Sequence, residues 1–233
     1  MLNTKCMNFA VGPVPSNHSV RSIGFCDVPY FRTTEFSKMM LESESMLCEL
    51  ADAPVGSRAC FITGSGTSAM EASVMGLLDK KDRALVVDGG SFGHRFRQML
   101  ELHGIPHDAI ELVPGSALTK EDLFQFEGGR YTAFLVNLGE TSQGVLYDAG
   151  LIADFCERNG LFLIVDAISS FLADPFDMDE MGADVMITDA QKALACPPGV
   201  APVILSPAAI ERAARIPAPC MYLDLGMMLK DGE

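Results

Sequence analysis

Between residues 59 and 188 short apolar runs alternate with segments of helical period, and that alternation leaves a chain few folds other than a parallel sheet covered on both faces. Residues 59–62, 84–87, 109–113, 132–137, 161–165 and 185–188 read as strands. Helices read over 92–102, 120–126 and 151–158, and over the segment that ends near Leu78. A strand apolar at consecutive positions is buried on both sides, so helices must lie above and below it. The expected fold is α/β: a three-layer α/β/α arrangement with a mainly parallel central sheet.

A further strand at 200–205 contains Pro202, which predicts an edge or bulged position because proline has no donor for the ladder. A helix near 208–214 and a short segment at 221–225 follow. Ahead of the first strand, Phe36, Met39, Met40, Met46, Leu47 and Leu50 recur at helical spacing over 34–51. The opening 8–15, stiffened by Pro13 and Pro15, reads as extended, and Pro29-Tyr30-Phe31-Arg32 continues it. The chain therefore divides into an arm, 1–33, and one α/β domain, 34–233, with no internal repeat or low-complexity linker.

Bulk properties narrow the function. A chain of 233 residues with 48% hydrophobic composition can bury a large core. A net charge of −14 opposes nucleic acid and anionic membrane, so any anionic ligand must be held by local donors. The apolar runs are too short to span a bilayer, and the N-terminus lacks the hydrophobic region of a secretory signal. Seven cysteines without CxxC spacing fit a reducing, cytoplasmic compartment better than disulfides. No metal site is expected, since the four histidines show no ligand spacing and Pro106 separates His103 from His107.

The residues that carry chemistry follow strand ends. Gly64-Ser65-Gly66-Thr67-Ser68-Ala69 joins a strand to a helix, and such a turn presents backbone N–H groups at the positive end of the helix dipole, a phosphate site to which Ser65 and Thr67 add hydroxyls. The same residues fit the G-x-G-x-x-A dinucleotide fingerprint, with Asp88 where a ribose-binding acid would sit, so both readings stay open. Asp166 ends strand 161–165 and either caps it or meets a cation, a metal or a protonated ring nitrogen. Lys192 follows strand 185–188 at the rim where open α/β sheets bind ligands; it is either a solvated loop lysine or an amine that burial makes nucleophilic. Ending consecutive strands puts Asp166 and Lys192 on one rim, a separation that suits a pyridine nitrogen and an aldehyde carbon. Phe92, flanked by Gly90 and Gly93, either stacks on a flat ring or packs in the core. Thr141 and Ser142 offer hydroxyls at a further strand end.

Five ordered blocks, Gly64-Ser65-Gly66-Thr67, Gly90-Ser91-Phe92-Gly93-His94-Arg95, Glu140-Thr141-Ser142-Gln143-Gly144-Val145-Leu146, Asp166-Ala167-Ile168-Ser169-Ser170 and Gln191-Lys192-Ala193-Leu194 with Pro197-Pro198-Gly199, carry a resemblance. The sequence resembles the class V aminotransferases of the fold-type-I pyridoxal-phosphate superfamily, in particular the alanine:glyoxylate, serine:glyoxylate and 2-aminoethylphosphonate:pyruvate group. That resemblance implies pyridoxal 5'-phosphate as cofactor, with Lys192 as the Schiff-base lysine and proton carrier. It implies Asp166 as partner of the ring nitrogen, Phe92 and Ile168 on the two ring faces, and Thr141 near the ring hydroxyl. Ser65, Gly66, Thr67 and Gln191 would hold the phosphate. The implied reaction is ping-pong amino transfer from a small amino donor to a 2-oxo acid, glyoxylate or pyruvate, in a homodimer. A lyase or desulfurase using the same lysine is an alternative of that fold type, although the required reactive cysteine loop is not evident.

The chain departs from the family pattern twice. Relatives have small residues such as Gly and Ser before Gln-Lys, where this chain has Asp189 and Ala190, and Asp189 brings negative charge toward the expected phosphate. The family's C-terminal lobe, which supplies a carboxylate-gripping arginine, is expected to be absent, so that residues 34–233 are a pyridoxal-phosphate-binding large domain alone, or an inactive remnant of one.

Overall fold

In a computed structural model of the chain, residues 7–128 and 130–232 are described. The first six residues of the expected arm and Glu233 lie outside them. The arm is not extended throughout: Asn17 accepts from the backbone N–H of Val20 and starts a short helix, α1 (His18–Ile23), none of whose residues is buried. Thr33 caps α2 (Thr34–Leu50) in the same way through Phe36 N–H.

The sheet begins with β1 (Arg58–Thr63), followed by α3 (Gly66–Leu77), β2 (Ala84–Asp88), α4 (Ser91–His103), β3 (His107–Glu111), α5 (Lys120–Phe124) and β4 (Ala133–Asn137). A two-stranded hairpin, β5 (Gly139–Glu140) with β6 (Val145–Leu146), precedes α6 (Ala149–Asn159) and β7 (Phe162–Asp166). After β8 (Val185–Ile187) and β9 (Val200–Leu205) come α7 (Pro207–Arg215) and α8 (Leu225–Asp231).

The main sheet has seven strands in the order β1-β9-β8-β7-β4-β2-β3. Pairs β2/β3, β2/β4, β4/β7 and β7/β8 are parallel, whereas β9 is antiparallel to both β1 and β8. Two antiparallel steps restore the direction, so β1 points the same way as β8 and β9 alone runs against the rest. The C-terminal ends of β1, β2, β4, β7 and β8 therefore share one rim, which is where α/β sheets of this kind bind ligands.

Side chains alternate between two cores along the strands. Ala84 and Val86, with Ile164 and Val203, pack under α3, α4, α7 and α8. Leu85 and Val87, with Leu163 and Ile204, pack under α2, α5 and α6. The layers are those expected; the position of Pro202 is not. Strand β9 is interior, with Pro202 opposite Phe61 of β1. Proline is tolerated as a single gap just past the end of β8 at Ile187: the Pro202 carbonyl still accepts from Thr188 N–H at 3.0 Å and the Val200 carbonyl from Ala190 N–H at 3.0 Å, so only one donor is missing. Among the described residues no helix is long and apolar enough to cross a membrane.

Candidate functional site

The nine residues singled out in the sequence, Ser65, Gly66, Thr67, Phe92, Thr141, Asp166, Ile168, Gln191 and Lys192, all line one cavity of about 190 Å³ at the C-terminal rim. Met70, Arg95, Asn137, Ser169 and Asp189 complete its wall. A larger cavity of about 770 Å³ beside Leu78, Leu102 and Arg212 holds none of the nine.

Asp166 is the last residue of β7 and only 1% exposed. Its Oδ2 accepts from the Asn137 amide at 2.7 Å and its Oδ1 from Ile168 N–H at 2.9 Å. Burial pushes its pKa up to about 6, because a charged carboxylate is poorly solvated there; the two hydrogen bonds and the more distant Arg95 oppose that rise, and Glu140 adds to it. No ion pair reaches Asp166 among the described residues. A cationic group brought to this acid would relieve the penalty.

Lys192 lies just beyond β8, in a turn closed by hydrogen bonds from Lys192 N–H to the Asp189 carbonyl and from Ala195 N–H to the Lys192 carbonyl. The arm passes over it: Val14 N–H donates to the Gln191 carbonyl at 3.0 Å. A Cβ placed on Gly12 would stand 2.6 Å from Lys192 Cδ. Among the described residues the Lys192 amine makes no hydrogen bond or ion pair.

Phe92 is held from below. α4 starts without a side-chain cap of its own, and buried Glu140 supplies the acceptor, taking N–H groups of Phe92 at 3.2 Å and Gly93 at 3.0 Å. The Ser142 hydroxyl and N–H hold the other oxygen of Glu140 at 2.6 and 3.2 Å. Arg95, one turn further along α4, lies over the Phe92 ring at 4.9 Å and donates to the Thr67 hydroxyl at 2.8 Å, tying α4 to the glycine turn. Asn137, Glu140 and Arg95 were not assigned roles from sequence. An uncapped, glycine-rich helix start at 90–93 was the one available signal that an outside acceptor was needed.

At the glycine turn, a Cβ on Gly66 would stand 2.3 Å from Ile168 Cδ1, so the bare glycine lets the helix start approach this wall without displacing the Ile168 side chain. The Gly66 N–H is already answered: Asp189 Oδ2 accepts it at 2.8 Å and takes the Gln191 amide at 2.7 Å. The dinucleotide reading of the turn fails on topology. That motif needs its strand beside the next one, and here β9, β8, β7 and β4 separate β1 from β2. Asp88 is engaged elsewhere, with Arg97 at 3.2 Å and His94 at 3.0 Å.

A family model described as Aminotransferase class-V matches residues 30–220. The small subunit of a soluble hydrogenase from Synechococcus sp. (strain PCC 6716) is 33% identical over 99% of this chain and 61% of its own length. The alanine–glyoxylate aminotransferase of Drosophila melanogaster is 31% identical over 87% of this chain and 52% of its own length. The 2-aminoethylphosphonate–pyruvate transaminase of Paraburkholderia phymatum is 36% identical over 70% of this chain and 45% of its own length. Among solved structures, an aspartate aminotransferase of subgroup IV from Thermus thermophilus superposes with a TM-score of 0.87 at 30% identity, covering 96% of this chain and 62% of that one. The alanine–glyoxylate aminotransferase of Nostoc sp. superposes with a TM-score of 0.88 at 26% identity, covering 100% and 63%. The chain thus spans about half to three fifths of the length of these relatives.

Proposed function

Because the chain belongs to the class-V aminotransferase family, we propose that residues 34–233 are the cofactor-binding domain of an amino-transferring enzyme whose cofactor is pyridoxal 5'-phosphate. Residues 1–33 form its N-terminal arm, and within the described part Gly12 and Val14 lie against Lys192 and Gln191. The observation that carries this reading is the meeting of an unpaired buried acid, Asp166, and a free amine, Lys192, in one cavity that also holds a glycine turn and an aromatic ring.

The donor set fits the cofactor's ring. Asp166 offers a buried negative charge to the ring nitrogen, and the cation there reverses the upward shift that burial imposes. Phe92 and Ile168 offer apolar faces to a flat ring, and Thr141 a hydroxyl beside it. Ser65, Gly66, Thr67 and Gln191 surround the phosphate end, where Asp189 already takes the first N–H. When bound, the cofactor supplies an aldehyde for the Lys192 amine and a ring that withdraws electrons from the amino donor's Cα. Lys192 Nζ would be the group that takes up and gives back the proton during amino transfer. Asp166, held by Asn137 and Ile168 N–H, keeps its charge fixed while the proton moves.

A small amino donor (alanine, serine or 2-aminoethylphosphonate) and glyoxylate or pyruvate as acceptor are the proposed substrates. The working form is a homodimer in the cytoplasm. Exposed Phe25, Val28, Tyr30 and Phe31 on the arm and Met39 and Leu41 on α2 support it, as apolar surface that a second copy would cover. Borohydride reduction of the chain with pyridoxal 5'-phosphate, followed by peptide mapping, tests the reading. Label on Lys192 that is lost in Lys192→Ala supports it; label elsewhere, or none, overturns it.

A further inference from the structure

The phosphate end of the proposed cofactor site contains an anion that belongs to the chain itself. Asp189 is 3% exposed, and its Oδ2 holds both the Gly66 N–H and the Gln191 amide, donors that an incoming phosphate at the start of α3 would use. The Ser65 and Thr67 hydroxyls also line this end, but the two polar atoms left buried without a partner are the wrong kind for a phosphate. Asp189 Oδ1 and Gln191 Oε1 are both buried with no hydrogen-bond partner among the described residues. One N–H of the Gln191 amide is committed to Asp189, and the amide atom left buried without a partner, Oε1, is an acceptor as well. A phosphate dianion brings only acceptors: it satisfies neither of these two buried atoms and adds repulsion against Asp189, although Arg95 and Lys192 line the same cavity. A hydroxyl brings the missing donor and no charge.

We propose that Asp189 is a specificity-determining residue: pyridoxal and pyridoxamine, donating a 5′-hydroxyl to Asp189 Oδ1, bind this chain at least as tightly as their phosphorylated forms. The inference rests on the proposed function, since Asp166 and Lys192 must hold the ring for Asp189 to meet the 5′ substituent.

Dissociation constants of pyridoxamine and pyridoxamine 5'-phosphate, measured by calorimetry on the chain, on Asp189→Asn and on Asp189→Gly, test it. Asp189→Asn keeps an acceptor for Gly66 N–H but removes the charge, and Asp189→Gly opens the turn altogether. The expected result is a wild-type preference for the unphosphorylated amine, swinging toward the phosphorylated one by about tenfold or more in both variants. A wild-type chain that already prefers the phosphorylated amine, with a ratio neither substitution moves, overturns the inference and leaves the proposed function standing. Failure of all three proteins to bind either amine overturns the proposed function, and this inference with it.

Discussion

Asn137 and Asp166 are register partners across the β4–β7 ladder, and the Asn137 amide donates to the Asp166 carboxylate at 2.7 Å. Neighbouring parallel strands thus end in a matched pair, and the other Asn137 atom, Oδ1, is buried without a partner among the described residues. The hydrogen bonds from Ile168 N–H and the Asn137 amide do not compensate for the burial of a carboxylate this deep, which is why its pKa stands at about 6 instead of 3.8.

That shift has a sign. On raising the pH, an unfolded chain releases the Asp166 proton near its ordinary value of 3.8, while the folded chain holds it until about 6. The ligand-free fold therefore loses stability between those two values and carries a constant penalty above them, of roughly 3 kcal/mol. Asp166→Asn should remove the penalty, because Asn137 can turn its free Oδ1 toward the new amide while the retained carbonyl still accepts from Ile168 N–H. Urea unfolding of the ligand-free proteins at pH 4 and pH 8 checks this. The variant should gain on the wild type as the pH rises, and parallel behaviour of the two would remove Asp166 as the source. The same substitution should weaken binding of a protonated pyridine ring, so stability and ligand affinity are expected to move in opposite directions.

Glu140 is an acid of a different kind, since its charge is answered on both oxygens by the N–H groups of Phe92 and Gly93 and by Ser142. Removing it leaves the first turn of α4 with buried, unpaired donors. Glu140→Ala is expected to cost roughly 3 kcal/mol of unfolding free energy, whereas Glu140→Gln, which keeps one acceptor oxygen, should lose less. The denaturation midpoints of the two variants provide the measure. Phe92 rides on that turn, so the alanine variant should also bind the ring more weakly than the glutamine variant does. Equal effects of the two substitutions would show that the capping geometry is not what matters.

The layers and the rim were legible in the sequence because both follow from local pattern. Apolar pairs such as Leu85 and Val86 announce a strand buried on two faces, and residues that end parallel strands must gather at one edge. What was not legible depends on partners distant along the chain. Nothing near Pro202 reveals that β1 and β8 flank its strand, and so an interior strand was read as an edge or bulged one. The negative charge of Asp189 near the turn was visible, but its bond to Gly66, 123 positions away, was not. Glu140 read as part of a loop block because the helix it caps lies 47 and 48 positions upstream. In the arm the opposite failure occurred: proline spacing suggested extension, and a single Asn17 cap was enough to start α1.

Gly12 is the point at which the arm touches the chemistry. The space a Cβ would need is taken by Lys192 Cδ at 2.6 Å and by the Gln191 carbonyl at 3.0 Å, and the neighbouring Val14 N–H ties the arm to that same carbonyl. The carbonyl is fixed by the arm, so the lysine stem must give way to any added methyl. Gly12→Ala should therefore shift the amine without disturbing the core, leaving the unfolding midpoint close to wild type, since Gly12 is only half-buried and its neighbours Val11 and Pro13 are exposed. A displacement of about 1 Å at a reacting atom is worth up to roughly a hundredfold in rate, so the borohydride-trappable reaction of Lys192 with pyridoxal 5'-phosphate should slow by about ten- to a hundredfold. Stopped-flow absorbance of aldehyde uptake gives the rate directly, and pyridoxamine binding, which needs no reaction at Lys192, serves as the control. A variant that slows both equally would place the effect on access to the cavity; a variant that slows neither would separate the arm from the lysine.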